Sequence, residues 1–568
     1  MKKFTFNKFL FIFFTFFFIN SFSQENCNNG IDDDGDGLID CQDFDCANFS
    51  LCRVQTDCAL PYVYWMPPVW GDKVADANLF GRDDLIVTTL GGTATVKIYQ
   101  ADQTTLITTL IVPLALPQTY VFPDTAVGFN QVMTNLINTI QSNSGLYITS
   151  DQPIQIVYRL LSRPGFNTYN QDLMQLFGND APGYSFYAAS QTSNRASTST
   201  IERHFVSIIA TENSTPVTIT APVGMTMEGS TNYTLLNEVG ALSNWTGSRV
   251  INLNKGQTYQ VLTSSENPNR TISGLLVTST KPIVVNSGSQ HTGSALPGAN
   301  DRDAGFQQVL PVKNYGVDYG VVDGGNTSNE GIDYVVLQGT KSNTTVNITG
   351  TVYNIPDDVA VAGTPPAVVS PIVLGVGEVR TLYLNNTNYQ TYRFQGDKPF
   401  GVFHVSSRVE DELGMEQVPP LDLCIGSKRI EFIKPNTNVN AIIYCPTSGL
   451  NTLRVNGQLY TALALNISGL LATPIGTSGY SSVVIPNTAI PAAPALSRIT
   501  ADVKFHVATN GYTGGTGNYV FYSDYAKNTE LIDPITGQPT SSFNAGTVQV
   551  GVPKETCLTF SSCATRAT

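Results

Sequence analysis

Charge is what this 568-residue chain has least of: 13 % of its residues are charged and only four are histidine. No basic stripe is present that could neutralise phosphates, so nucleic acid is not expected as a partner. Scattered histidines and the lack of any Cys-x-x-Cys pair argue against zinc or thioredoxin-like chemistry. A Gly-x-Ser-x-Gly elbow is also missing, which removes the usual strand-to-helix setting of a serine nucleophile. Beyond the first twenty or so residues there is no second apolar run of about 18 residues, so no membrane-spanning helix is expected.

What the chain does have begins with a leader. Lys2 and Lys3 precede the apolar stretches 9–14 and 16–19 and the small-residue segment Ser21-Phe22-Ser23, the pattern of a cleaved secretory signal peptide over residues 1–23. The formal charge of −13 becomes −16 once the three leader lysines are gone, and half of that excess sits in residues 25–58. All nine cysteines follow the leader, in a compartment that permits disulfides; Cys424 with Cys445 and Cys557 with Cys563 are the natural distal pairs. Thr, Ser, Asn, Gly, Val and Tyr dominate, a composition that favours strands and turns.

The sharpest local signal is the run from Asp32 to Asp43, which fits a twelve-position calcium loop. Asp32, Asp34 and Asp36 fill positions 1, 3 and 5, Gly37 the sharp turn, Leu38 the carbonyl position, Asp40 position 9 and Asp43 position 12. A hard cation that seeks six to eight oxygens explains so many carboxylates on so few residues. Asp at position 12 reaches less far than Glu, so modest affinity for Ca2+ is expected. Asn28-Asn29-Gly30 before the loop is turn chemistry, and neither flank has helical periodicity. With its flanking cysteines the 27–46 segment resembles the calcium loops of thrombospondin type 3 repeats and dockerins, which implies a structural ion in a stiff stalk.

From residue 60 onward the chain repeats itself. Each copy opens on two alternating runs that read as a hairpin: 85–89 with 94–99, 205–210 with 216–220, 334–337 with 345–349, and 441–444 with 452–455. Later comes a proline signature: Ser150-Asp151-Gln152-Pro153-Ile154, Ser279-Thr280-Lys281-Pro282-Ile283, Gly396-Asp397-Lys398-Pro399-Phe400, and a fourth, without proline, at Asp502-Val503-Lys504-Phe505. A proline there fixes φ and suits a corner between strands. Spacing of about 105–130 residues suits one antiparallel sandwich per copy. The expected organisation is all-β: tandem antiparallel β-sandwich-like repeats behind a short N-terminal calcium-binding loop segment. Its parts are a calcium segment at 24–60, β units at 61–195, 196–325, 326–435 and 436–530, the last divergent, and a C-terminal segment at 531–568.

The Thr-Ser-x-Lys-Pro-Ile signature, the strand Gly256-Gln257-Thr258-Tyr259 and the segments Gln307-Gln308-Val309-Leu310-Pro311 and Glu416-Gln417-Val418-Pro419-Pro420 together resemble the IgGFc-binding protein N-terminal domain family, in its bacterial secreted branch, over residues 85–530. The resemblance implies an extracellular β-rich binding or adhesion module, not an enzyme, whose partner is a protein or glycan such as a mucin or host glycoprotein. Leader and acidic loop are similar to those of Bacteroidetes surface proteins. No type IX sorting segment is recognised before Thr568, so either a longer chain or another route to the cell surface is expected.

Other candidates are weaker. Ser289, His291, Asp301 and Asp303 supply the residue types of an acyl-transfer triad in one Gly-rich loop, without an oxyanion element; an inter-strand loop is the plainer reading. His204 after Glu202-Arg203 reads as a surface ion-pair partner, and His404 and His506 as equivalent packing positions. Tyr62, Tyr64, Trp65 and Trp70 could stack on sugar rings, but strand alternation favours burial. Gly-rich 511–517, followed by strand residues, reads as a hairpin turn and not a phosphate cradle.

Overall fold

Short runs alternating between apolar and polar residues make strands with one face in a core, and in the computed structural model of the protein almost every described element is a strand. The structure describes most of residues 62–523. Residues 1–61 and 524–568 lie outside the described residues, as do several internal segments, among them 72–81, 162–171, 193–202, 294–301, 325–332 and 355–365.

Four times over, the chain lays down two antiparallel sheets that share one long strand. In copies 2, 3 and 4 this is an 18-residue strand, Leu276–Gly293, Thr391–Arg408 and Leu496–Thr513. In copy 1 its halves, Leu146–Ser150 and Ile154–Leu161, are separate. The first half pairs with an opening strand (Tyr62–Met66, Gly183–Tyr187, Gly316–Val322 or Ser427–Ile433) and with the second of the two alternating runs (Ala94–Gln100, Thr215–Thr220, Thr344–Thr349 or Arg454–Val455). The second half pairs with the first run and with a closing strand (Asp172–Leu176, Arg302–Val309, Asp411–Gln417 or Thr516–Tyr522). The two runs of a copy therefore lie in opposite sheets and do not pair as the expected hairpin, because each takes one half of the long strand as its partner. The sheets face each other across an apolar layer; in copy 1 Met66, Ile98 and Ile148 of one meet Leu85, Ile156 and Tyr158 of the other.

The opening strands at 183, 316 and 427 lie ahead of the divisions expected at 195/196, 325/326 and 435/436, yet pair with strands beyond them. Each is short and carries a register shift near its start, between Gly183 and Ser185, Gly316 and Asp318, or Ser427 and Arg429. Such bulged strands leave little period-two signal to read.

The proline signature marks where the long strand passes from one sheet to the other, a bend inside a continuous strand in copies 2 and 3 instead of the corner between strands that the sequence suggested. Its residues hold the adjacent connection between the two runs. Lys281 Nζ donates to the Asn213 carbonyl at 2.5 Å and Lys398 Nζ to the Ser342 carbonyl at 2.9 Å. Thr211 and Thr340 donate to the Pro282 and Pro399 carbonyls, and the Thr95 and Thr345 N–H groups donate to Asp151 and Asp397. Copy 4 makes the same passage with Lys504 in place of proline: Ile430 faces Ile499, five residues before Lys504, as Tyr319 faces Phe394 and Phe186 faces Val277 in their copies. Proline therefore eases the bend and does not create it.

Within residues 59–526 the four closing strands pack against one another in a cycle, 1 on 2, 2 on 3, 3 on 4 and 4 on 1. One glutamine position fastens the cycle. Gln308, Gln417 and Gln175 occupy the same register, each opposite the residue four places after the proline. Gln308 Oε1 accepts the Phe177 N–H at 2.8 Å, Gln417 Oε1 the Leu310 N–H at 3.0 Å, and Gln175 Oε1 the Ser523 N–H at 3.1 Å. Each donor lies two residues after the equivalent position of the preceding copy. In copy 4 that position is Phe521, and the residue that would donate to it is Pro419, which has no N–H to satisfy. The Gln-Gln-Val-Leu-Pro and Glu-Gln-Val-Pro-Pro motifs are thus the joints of the ring.

Candidate functional site

Most chemistry-bearing side chains singled out in the sequence are inside the protein. Ser289 is fully buried and its Oγ donates to the Arg203 carbonyl at 2.7 Å, a packing role and not that of an exposed nucleophile; the side chains of His291 and Asp303, and Asp301 altogether, lie outside the described residues. Arg203 and His204 are buried and do not hold the surface position expected of them. Tyr64, Trp65 and Trp70 are buried, with Trp65 packed on Tyr147 at 4.7 Å between ring centroids, and do not form an open stacking platform. The Gly-rich 511–517 segment joins two paired strands, Tyr512 facing Gly517. Cys445 is a free, buried thiol pushed up to about 12 by burial, so the expected Cys424–Cys445 pair is not formed. The metal candidates Asp32, Asp34, Asp36, Leu38, Asp40 and Asp43 lie outside the described residues.

His404 and His506 are not equivalent. Counted from the bend, His404 faces Val335 at the fifth position after Pro399, whereas His506 is the second residue after Lys504 and faces Tyr444. His506 Nδ1 contacts Ser523 Oγ, and burial lowers its pKa to about 3, which keeps the ring neutral. His404 joins copies 3 and 4: Nε2 meets Asp333 Oδ2 at 2.9 Å and Nδ1 meets the hydroxyl of Tyr519, from the closing strand of copy 4, at 2.7 Å. The Gly324 N–H donates to the same Asp333 oxygen. Beside His404 in the ladder stands Glu416, whose carboxyl burial pushes well above the usual carboxylate range, with Asp172 of copy 1 adding to the effect. Asp172 accepts the N–H groups of Leu173 and Phe306. Composition marked these residues as ionisable, but only the register brings them together. None reaches solvent, and what the cluster does is lock adjoining copies.

Solvent meets a different surface at the outer edge of copy 1. Strand Leu106–Val112 is the last in its sheet, and Gln118–Val121 the last in the facing sheet. Leu106, Ile111, Leu114, Leu116 and Val121, on these edges and the loop between them, are all exposed, Leu116 to 60 %. The Leu116 N–H donates to the Pro113 carbonyl, closing a turn that holds Leu114 outward. Scattered exposed apolar residues are ordinary; here five fall between residues 106 and 121 on two edge strands and the loop that joins them. The sequence gives no pointer to this surface, because the apolar pairs of 106–112 look like those of any core strand until its position at an edge is known.

No curated protein matches the chain. Among solved structures, the major pilin of Streptococcus pyogenes is 7 % identical over 60 % of this chain and 98 % of the pilin, with a TM-score of 0.13. Trypsin-activated alpha-2-macroglobulin of Escherichia coli is 9 % identical over 83 % of this chain and 42 % of its own, with a TM-score of 0.12. At such TM-scores neither likeness bears on fold or function. The pattern of the IgGFc binding protein family matches residues 172–511, from the first closing strand into the long strand of copy 4, and so takes in the bends of copies 2 to 4 and the glutamine joints at Gln308 and Gln417. Family members are binding proteins rather than enzymes, and the chain belongs to the IgGFc binding protein family.

Proposed function

We propose that the protein is a secreted or cell-surface binding protein, released by cleavage of the 1–23 leader, that presents a ring of four β copies to an extracellular protein or glycan. The apolar rim of Leu106, Ile111, Leu114, Leu116 and Val121 carries this reading, since a soluble β ring has no folding reason to expose it. Family membership supports it from the side of kind, and Fc, named in the family's own title, is the first protein probe. Surface plasmon resonance of the mature chain over immobilised Fc, mucin and a mucin-glycan array is the test; silence on all three, with the protein folded, would remove the adhesion reading.

The second part of the proposal concerns Ca2+. Asp32, Asp34, Asp36, Asp40 and Asp43, with the Leu38 carbonyl, hold one ion and stiffen the segment before the ring. A dissociation constant of about 10⁻⁴ M would suffice in an extracellular medium. Calorimetric titration of the mature chain is expected to give one binding event that Asp34→Asn with Asp36→Asn abolishes, and proteolysis within 24–60 should slow when calcium is present. An unchanged heat and cleavage rate would refute it.

A further inference from the structure

We propose that the outer edge of strand Leu106–Val112 is a strand-addition site, taking an extended, uncharged segment of a partner protein as a fifth strand on its sheet. The proposal rests on the binding reading above and names the kind of partner. In the four-stranded sheet the strand pairs only with Ala94–Gln100 among the described residues, so its other side offers a row of backbone N–H and C=O groups. At roughly 3.3 Å per residue that row is about 23 Å long. Its sequence, Leu-Ile-Thr-Thr-Leu-Ile-Val, has no charge and no proline.

The equivalent edges of the other copies are blunted in the ways proteins use to prevent pairing. In copy 2, Ser248–Leu253 carries Arg249, whose guanidinium lies 4.5 Å over the Trp245 ring and whose Nη1 donates to Asn138. Copy 3 offers three residues, Ile372–Leu374, directly after Pro371. Copy 4 offers two, Gln458–Leu459, which run into helix Tyr460–Ala464. Only copy 1 keeps a long, bare, uncharged edge, and there the exposed apolar rim continues it.

An open ladder edge is matched by another strand, because nothing else repeats donors and acceptors at that spacing. A second copy of the chain fits poorly. The charge of −16 on the chain without its leader sets two molecules against each other. A symmetric pair about Thr109 would also end at Pro113 after seven residues, well short of the roughly 800 Å² per partner that stable dimers bury. A flexible segment can instead pair with 106–112 and lay its own apolar side chains on Leu114, Leu116 and Val121.

The probes are fluorescein-labelled heptapeptides of alternating Thr and Val, or Thr and Leu, each also made with alternate backbone nitrogens methylated, in both phases of the alternation. Fluorescence anisotropy with the mature chain is expected to show binding of an unmethylated peptide and none by one of its two methylated forms. Thr109→Lys with Ile111→Lys should weaken binding at least tenfold with an unchanged melting curve, while Val250→Lys on the copy 2 edge changes it less than twofold. No peptide binding, binding indifferent to methylation in either phase, or equal binding to the lysine variant would overturn the proposal. So would a wild-type dimer in sedimentation that the lysine variant dissolves, which would give the edge to a second copy. Fc or mucin binding that persists in the lysine variant would spare the binding function and move its site elsewhere.

Discussion

Copies 2 and 3 pair the same strands in the same register and put opposite chemistry at the same place. In copy 2 the row across the ladder is Val206, Ser287 and Gln307, with His204 two residues before Val206; in copy 3 it is Val335, His404 and Glu416, with Asp333 before Val335. The central side chain of copy 2 is a serine bonded only to the Ala189 backbone, whereas that of copy 3 is an imidazole bonded to a carboxylate and a phenol. Bends, the two runs on either side of the core and the glutamine joints recur because they build the sheets, whereas the end of each core meets a different neighbour. There the side chains follow the partner: His404 faces Tyr519 of copy 4, and Tyr158, in the same register position of copy 1, faces Phe306 of copy 2 with 5.8 Å between centroids.

The largest effect should come from breaking the copy 3 row. Asp333→Ala removes the partner of His404 Nε2 and of the Gly324 N–H together, inside a seam with no access to water. A loss of about 3 kcal/mol is expected, read as a lower urea midpoint. Ser287→Ala, at the position in copy 2 that His404 holds in copy 3, should cost less than half as much. Equal losses would mean that the two rows bear the same load and that their chemical difference is incidental.

Next in size is the joint that closes the ring. Gln175 both accepts the Ser523 N–H and donates to the Ser523 carbonyl at 2.9 Å. Gln175→Ala leaves a buried donor and acceptor unmatched and should cost about 2 kcal/mol, with earlier proteolysis between copies 1 and 4. Phe521→Gln sharpens the comparison, for it supplies the amide that copy 4 lacks and should gain nothing, because Pro419 has no proton to give. A stabilising Phe521→Gln would refute the account of the glutamine position.

Much of this architecture was legible in the sequence. The two alternating runs of each copy and the proline signatures were visible, since period-two patterning survives in any strand buried on one face, but the hairpin pairing expected of those runs was wrong: they lie in opposite sheets, and alternation marks a strand without naming its partner. The joints were visible as motifs but not as joints, because a Gln that bonds a backbone N–H over a hundred residues away looks like any other Gln. The opening strands of copies 2 to 4 were missed through their bulges, and His404 and His506 looked equivalent because a shift of three residues does not alter the flanking Val and Phe. The exposed rim could not be read at all: Leu106 and Ile111 differ from core residues only by lying at an edge, and edges are a property of topology.

The smallest expected effect asks whether copy 2 can be written into copy 3. Glu416 faces Asp172 from the closing strand of copy 1, stands beside His404 in its own sheet, and lies near Tyr522 of copy 4; Gln307 holds the same position in copy 2. Burial raises the Glu416 pKa in the folded protein above its unfolded value, so the folded state holds this proton to higher pH than the unfolded chain does. The proton favours folding below the unfolded pKa, near 4.3, and that advantage is lost as pH rises from there toward the raised folded value. Gln carries no such proton. Glu416→Gln should therefore match the wild type near pH 4 and exceed it by about 1 kcal/mol at pH 8, measured as a gap between melting temperatures that widens with pH. A gap that stays constant would mean that Glu416 is not held protonated, and a gap of the opposite sign would mean that its charge is used, which would turn the copy 3 row from a joint into a site.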